Sequence, residues 1–224
     1  MDSIPETKKG QATMRDDKRN FSRRRFLTLS ASASLLGLMP RLSYANVIRE
    51  MHGKVWVNNR LITKDTPIKP GDTVKTGVKS QIIFVIGDDV YKLGAHSTLR
   101  LRYNPGNRFV NAMRLVSGTL LGVFGKGRKT IQSPTVTLGI RGTGLFLKVE
   151  PHNTYFCTCY GETEIYTHDK PQLQFVSTTH HTAYSINHNV EQPKVFSDTM
   201  KYHTDEELHY LESLVGRKPP ASFK

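Results

Sequence analysis

"SQIIFVIGDDVYKL", residues 80–93, sets five consecutive apolar residues, Ile82 to Ile86, against Gly87-Asp88-Asp89 and then a second run through Val90, Tyr91 and Leu93. Short β-branched and aromatic runs on either side of a Gly/Asp turn read as two strands of a hairpin. The same grammar continues outward from this stretch. "GKVWVNN" turns at Asn58-Asn59, and Gly71-Asp72 supply turn residues in "PGDTVKTG". In "STLRLRY", Leu99 and Leu101 alternate with Arg100 and Arg102, as in a half-buried strand. An Asn/Pro/Gly turn is expected at 104–107, and "FVNAMRLVSGTLLGVF" predicts two strands split at Ser117-Gly118. Pro134 is expected at an edge or strand start, because it cannot donate to a ladder. Strands are further expected in "YFCTCYG", "TEIYTH", "LQFVSTTHHTAYSI" and "KVF".

The chain closes differently. Thr204 and Glu207 have capping-box spacing, and Leu208, Leu211 and Leu214 or Val215 share one helical face before Gly216 and Pro219-Pro220 stop it. A short helix that closes an open face of the β domain is expected here.

The beginning of the chain reads as an export signal. Ser22-Arg23-Arg24-Arg25-Phe26-Leu27 resembles a twin-arginine motif, with Arg23, Arg24, Phe26 and Leu27 carrying the likeness. The serine-diluted apolar run from Phe26 to Met39 is too short and polar for a membrane anchor. Ser43 and Ala45 are the small residues a signal peptidase tests, so cleavage is expected after Ala45. A periplasmic location follows, with no transmembrane helix after cleavage. Twin-arginine cargo folds before export, often with its cofactor loaded.

Of the 224 residues and net charge of +13, residues 46–224 keep 23 basic and 15 acidic residues. This surplus suits anionic polymers or acidic partners, meaning a periplasmic or envelope protein or cell-wall polymer. Nucleic acid is not expected, because the positive residues are scattered and the chain is exported. Nucleotide binding is rejected as well. "GIRGTG" is followed by the strand-like "LFLKV" in place of a helix, and Arg128 stands where a phosphate-loop lysine belongs.

Cys157 and Cys159, the only cysteines, flank Thr158. In an extended strand they share a face with Cα atoms about 6.5 Å apart, and their parallel Cβ vectors disfavour a disulfide. Two thiolates can reach one transition-metal ion from such positions. Seven of the nine histidines follow residue 150. Within "HH", His180 shares parity with Val176, Tyr184 and Ile186, which makes it the inward candidate, with His181 opposite. The fourth ligand would be water, Glu162 or His181. Three readings stay open: a metal site, a redox or disulfide pair, and buried inert thiols.

Taken in order, "GKVWVNN", "GDTVKTG", "SQIIFVIGDDVYKL", "STLRL", "LVSGTLL", "IQSPTVTLGIRGTGLFLKV" and "TYFCTCYGETEIY" resemble the FecR-like periplasmic domain over roughly residues 50–167. The likeness rests on Gly71, Asp72, Gly77, Gly118, Pro134, Arg141, Gly142, Thr143 and Gly161. In its own right, Gly142 permits a bend or bulge between strands, and the Arg141 fork can satisfy carbonyls or a carboxylate. The resemblance implies a mainly β, antiparallel, sandwich- or barrel-like domain. The expected layout is a signal at 1–45, the β domain at 46–200, and the helix and tail at 201–224. FecR itself relays a signal to a cytoplasmic sigma factor through a membrane span. This chain departs from that layout, and a non-catalytic sensor, binding or scaffold module is what carries over. The rival is a metal- or thiol-dependent protein, enzymes included, using Cys157, Cys159 and His180.

Overall fold

The computed structural model describes residues 47–102, 110–167, 174–187 and 195–223. The residues of the expected export signal, Arg23, Arg24, Phe26, Leu27, Ser43 and Ala45, and the turn expected at 104–107 lie outside the described residues. The first strands are β1 (Val47–His52), β2 (Val55–Val57), β3 (Arg60–Leu61), β4 (Thr73–Thr76) and β5 (Gln81–Ile86). The next are β6 (Asp89–Leu93), β7 (Thr98–Leu101), β8 (Ala112–Val123), β9 (Arg128–Gln132) and β10 (Val136–Val149). The last are β11 (Asn153–Thr167), β12 (Gln174–Thr178), β13 (Thr182–Asn187) and β14 (Val195–Asp198), followed by helix α1 (Asp205–Ser213). No helix among the described residues is long and apolar enough to cross a membrane.

The protein is mainly β with one short C-terminal helix, as its sequence predicts, and its strands join into one large mixed sheet. Its path runs β14-β13-β11-β10-β9-β8-β7-β4-β2-β3, with β12, β6, β5 and β1 branching off. The long strands cause this by changing partners along their length. β8 pairs with β7 through Met113–Ser117, then with β10 through Gly118–Val123 and with β6 through Leu120–Val123. Its first residues also pair with β9 in parallel, the one departure from an antiparallel ladder among the described pairs. Gly118 therefore bends a continuous strand and does not separate two. Its φ is +82°, and a Cβ there would lie 2.4 Å from the Ser97 backbone, so only glycine fits.

β10 is likewise continuous, with a bulge between Arg141 and Gly144 where two strands were expected to meet. At that bulge β10 exchanges β9 for β8. Pro134 sits in the turn between β9 and β10, which the Ser133 side chain and the Val136 carbonyl close. Asn58-Asn59 forms the β2–β3 turn with φ +50° and +65°.

Because the middle of the sheet is covered on both faces, "QIIFVI" shows no polar alternation. Ile82, Phe84 and Ile86 join the larger core with Tyr91, Leu120, Leu147 and Phe156. Ile83 and Val85 point the other way, into a second cluster with Val90, Leu121, Phe146 and the two cysteines. Leu208, Leu211, Val215 and Phe223 from α1 and its tail cover that second face. The capping box is formed: the Thr204 hydroxyl accepts from the Glu207 amide at 3.3 Å, and the Glu207 carboxylate accepts from the Thr204 amide at 2.9 Å. At the other end, Gly216 takes φ +68°.

Candidate metal centre

Strand periodicity places Cys157 and Cys159 together. Both side chains enter the second cluster and are wholly buried, while Thr158 turns to the opposite face and bonds the Thr163 hydroxyl at 2.9 Å. Cys157 lies between Phe146 on β10 and Ala183 on β13 in the register of the sheet. Both cysteines are free thiols.

The histidine beside them is His181, and His180 is not. The expected single strand breaks into β12 and β13, with Thr179–His181 as their connection. His181 takes φ +39°, and its amide donates to the Cys159 carbonyl at 3.0 Å. Parity cannot be carried through such a turn. It also pointed to the wrong layer, because Val176 and Ile186 face the larger core while the cysteines share the second cluster with Ala183. His181 Nδ1 lies 3.4 Å from Cys157 Sγ, with only 5% of its side chain exposed. His180 is 43% exposed and reaches Asp205 at 3.1 Å. Glu162 is exposed on the part of β11 that pairs with Arg141, and does not join the thiols.

The second histidine is His203, which sequence reasoning did not select. It precedes the cap of α1, is 6% exposed, and stacks on Phe146 with ring centres 5.0 Å apart and planes 9° from parallel. Its Nε2 lies 3.3 Å from Cys159 Sγ. All four ligand atoms, from Cys157, Cys159, His181 and His203, fall within 4.8 Å of one another. Tetrahedral Zn²⁺ with Zn–S of about 2.3 Å and Zn–N of about 2.05 Å has an N···S edge of about 3.5 Å. The two N···S separations match that edge.

Both rings are oriented from outside. His203 Nδ1 meets the Lys201 carbonyl at 2.8 Å; a carbonyl only accepts, so the proton sits on Nδ1 and the lone pair of the neutral ring on Nε2. His181 Nε2 meets the Asp205 carboxylate at 2.6 Å, which puts its proton there and leaves Nδ1 facing sulfur. Partial burial opposes ionisation of Asp205, but hydrogen bonds from His180 and His181 outweigh it and hold the carboxyl below its usual range. The thiols titrate as a pair. The hydrogen bond from Cys159 pulls Cys157 down to about 4 against desolvation, with help from His181 and His203. Burial and the neighbouring Cys157 push Cys159 up.

The residues behind the sequence resemblance lie elsewhere. Arg141, Gly142 and Gly161 line a surface groove of about 890 Å³ with Lys126, Arg128, Glu162, Glu164 and Phe175. Thr143 is buried beneath it, accepting from the Arg141 amide and donating to the Glu162 carbonyl. Asp72 caps its turn by accepting from the Lys69 amide and the Asn58 side chain, each at 2.7 Å, beside Gly71 at φ +98°. Gly77 packs under the Trp56 ring, and its amide donates to the Lys54 carbonyl.

No family model and no curated protein sequence matches the chain. Two crystal structures of a "putative anti-sigma factor" from Parabacteroides distasonis are similar in backbone course, each at TM-score 0.48 and 9% identity. The similarity covers 58% of this chain and 60% of that one.

Proposed function

We propose that the chain is an exported, non-catalytic β module whose C-terminal segment is held by a Cys₂His₂ centre for a zinc-class cation, and whose outer surface binds an envelope protein or cell-wall polymer. One observation carries this reading. The far nitrogen of each histidine is engaged, by the Asp205 carboxylate and by the Lys201 carbonyl, so the near nitrogens present lone pairs to the sulfurs. Such outer partners fix the tautomer and raise the basicity of metal-binding imidazoles. Two thiolates and two imidazoles at tetrahedral spacing select Zn²⁺ or a similar ion over magnesium or calcium.

Cys157, His181 and Asp205 also have the connectivity of a nucleophile–base–orienter relay. The complete burial of both sulfurs disfavours catalysis, since no substrate can approach them. Four protein donors also complete a tetrahedron without an open position for water, the signature of a structural site. The FecR-like motif pattern and the mixed-charge groove around Arg141 support the binding-module part of the reading. The twin-arginine signal supports export after folding.

Elemental analysis of protein purified from the periplasmic fraction tests the centre. One zinc-class ion per chain is expected in wild type and none in Cys159→Ser, and cobalt loading should give the absorption bands of tetrahedral S₂N₂ coordination. Wild-type protein that carries no metal and takes up no cobalt sinks the reading. Replacing Arg23 and Arg24 by lysine should hold the protein in the cytoplasm.

A further inference from the structure

Resting on that metal reading, we infer that occupation of the centre and docking of the C-terminal segment are one coupled equilibrium, so that metal loss releases residues 201–223 and uncovers the second apolar face of the sheet. Ownership of the ligands carries the inference. Cys157 and Cys159 belong to β11 and His181 to the β12–β13 turn, whereas His203 arrives on the C-terminal segment. Asp205, which orients His181, is the first residue of α1. The centre therefore takes ligands and their support from both sides of one interface, and neither side holds a complete set.

That interface is apolar at its middle and polar at its rim. Leu208, Leu211, Val215 and Phe223 are buried over Ile83, Val85, Val90, Leu121 and Val123. Among them the buried Tyr160 hydroxyl donates to Glu212 at 2.6 Å, and around them Lys92 pairs with Glu207 while Tyr155 donates to the Thr199 carbonyl and accepts from the Lys201 amide. α1 has nine residues, too few to persist as an isolated helix in water, so its folded form depends on docking. A metal that recruits His203 stabilises that docking, and a docked helix presents His203 and Asp205 to the metal. Coupling of this kind is reciprocal in binding free energy.

Reciprocity supplies two arms for one experiment on the full chain. The first arm follows hydrogen exchange of zinc-loaded and chelator-treated protein; chelation is expected to raise exchange at least about tenfold in residues 201–223, while β4 and β7 remain protected. In the second arm, zinc affinity is measured for Leu211→Ala and for the milder Tyr160→Phe, both of which keep all four ligands. Leu211→Ala should weaken zinc at least about tenfold, within the common 5- to 150-fold span of coupling, and Tyr160→Phe less. Zinc bound with equal tail protection in both states and unchanged affinity in both variants overturns the coupling while leaving the metal centre standing. Loss of protection throughout the sheet on chelation overturns it too, because release would then be global. Absence of any zinc binding removes the metal reading itself.

Discussion

Two buried polar clusters in this protein solve the same problem in opposite ways. Asp89 and Lys129, 3% and 8% exposed, lie 3.3 Å apart. The Gly125 amide donates to the same carboxylate at 2.9 Å and the Tyr91 hydroxyl at 3.3 Å. Burial raises the Asp89 carboxyl above its usual range, against the opposing pull of Lys129 and these donors. Anion, cation and donors are all encoded, and the cluster is closed on itself. The Cys157, Cys159, His181 and His203 cluster gathers four electron-pair donors and draws its outer support from Asp205 and a carbonyl. A group of that composition is complementary to a cation. The lesson is that burial of polar atoms does not by itself mark a site; the balance of donors and acceptors does.

Metal removal should separate the two clusters most strongly. With free zinc a thousandfold above its dissociation constant, binding contributes about 4 kcal/mol, or a midpoint shift of about 10 °C for a domain of this size. Thermal melts with and without chelator should differ by that amount in wild type and coincide in Cys157→Ser.

Asp89→Asn attacks the other cluster. It strands a buried lysine, so denaturant titration should show a loss of about 3–5 kcal/mol, with zinc stoichiometry unchanged. Replacing the stranded cation as well, as Asp89→Asn with Lys129→Met, should recover most of it, because the asparagine oxygen still accepts from Gly125 and Tyr91.

A smaller effect sharpens the roles of the adjacent histidines. Asp205→Asn weakens support for the His181 ring and should lower zinc affinity about 10- to 100-fold while preserving stoichiometry at saturation. His180→Gln, altering a half-exposed side chain outside the thiol cluster, should change affinity far less. Equal losses in the two variants would assign the centre to the His180, His181 and Asp205 group instead.

The smallest expected effect lies at the rim. Hydrogen bonds from Lys201, Ser185 and the Thr199 amide hold Asp198 down to about 2, against an ordinary value of 3.8. A folded pKa below the unfolded one stabilises the fold above about pH 4, and that contribution fades as pH falls through about 2. Acid titration of Asp198→Asn should lack this component.

Much of the fold was legible because its signals are local. Turn residues bounded "QIIFVI" and "DVYKL", the capping box marked the start of α1, and a period of two put both cysteines on one face. The partner changes of β8 and β10 were not legible. A glycine with positive φ looks the same in sequence whether it ends a strand or bends one, and Gly118 bends one.

The sequence by itself determined the β class, the terminal helix and the co-facing thiols, because each follows from spacing along a single element. Only the tertiary structure decided which histidines meet those thiols. His181 is turned in by a left-handed backbone that resets strand parity. His203, which lies 44 residues beyond Cys159, is carried to it by docking of the C-terminal segment. Side-chain periodicity ends where a strand ends, and contacts beyond that point are set by how elements pack.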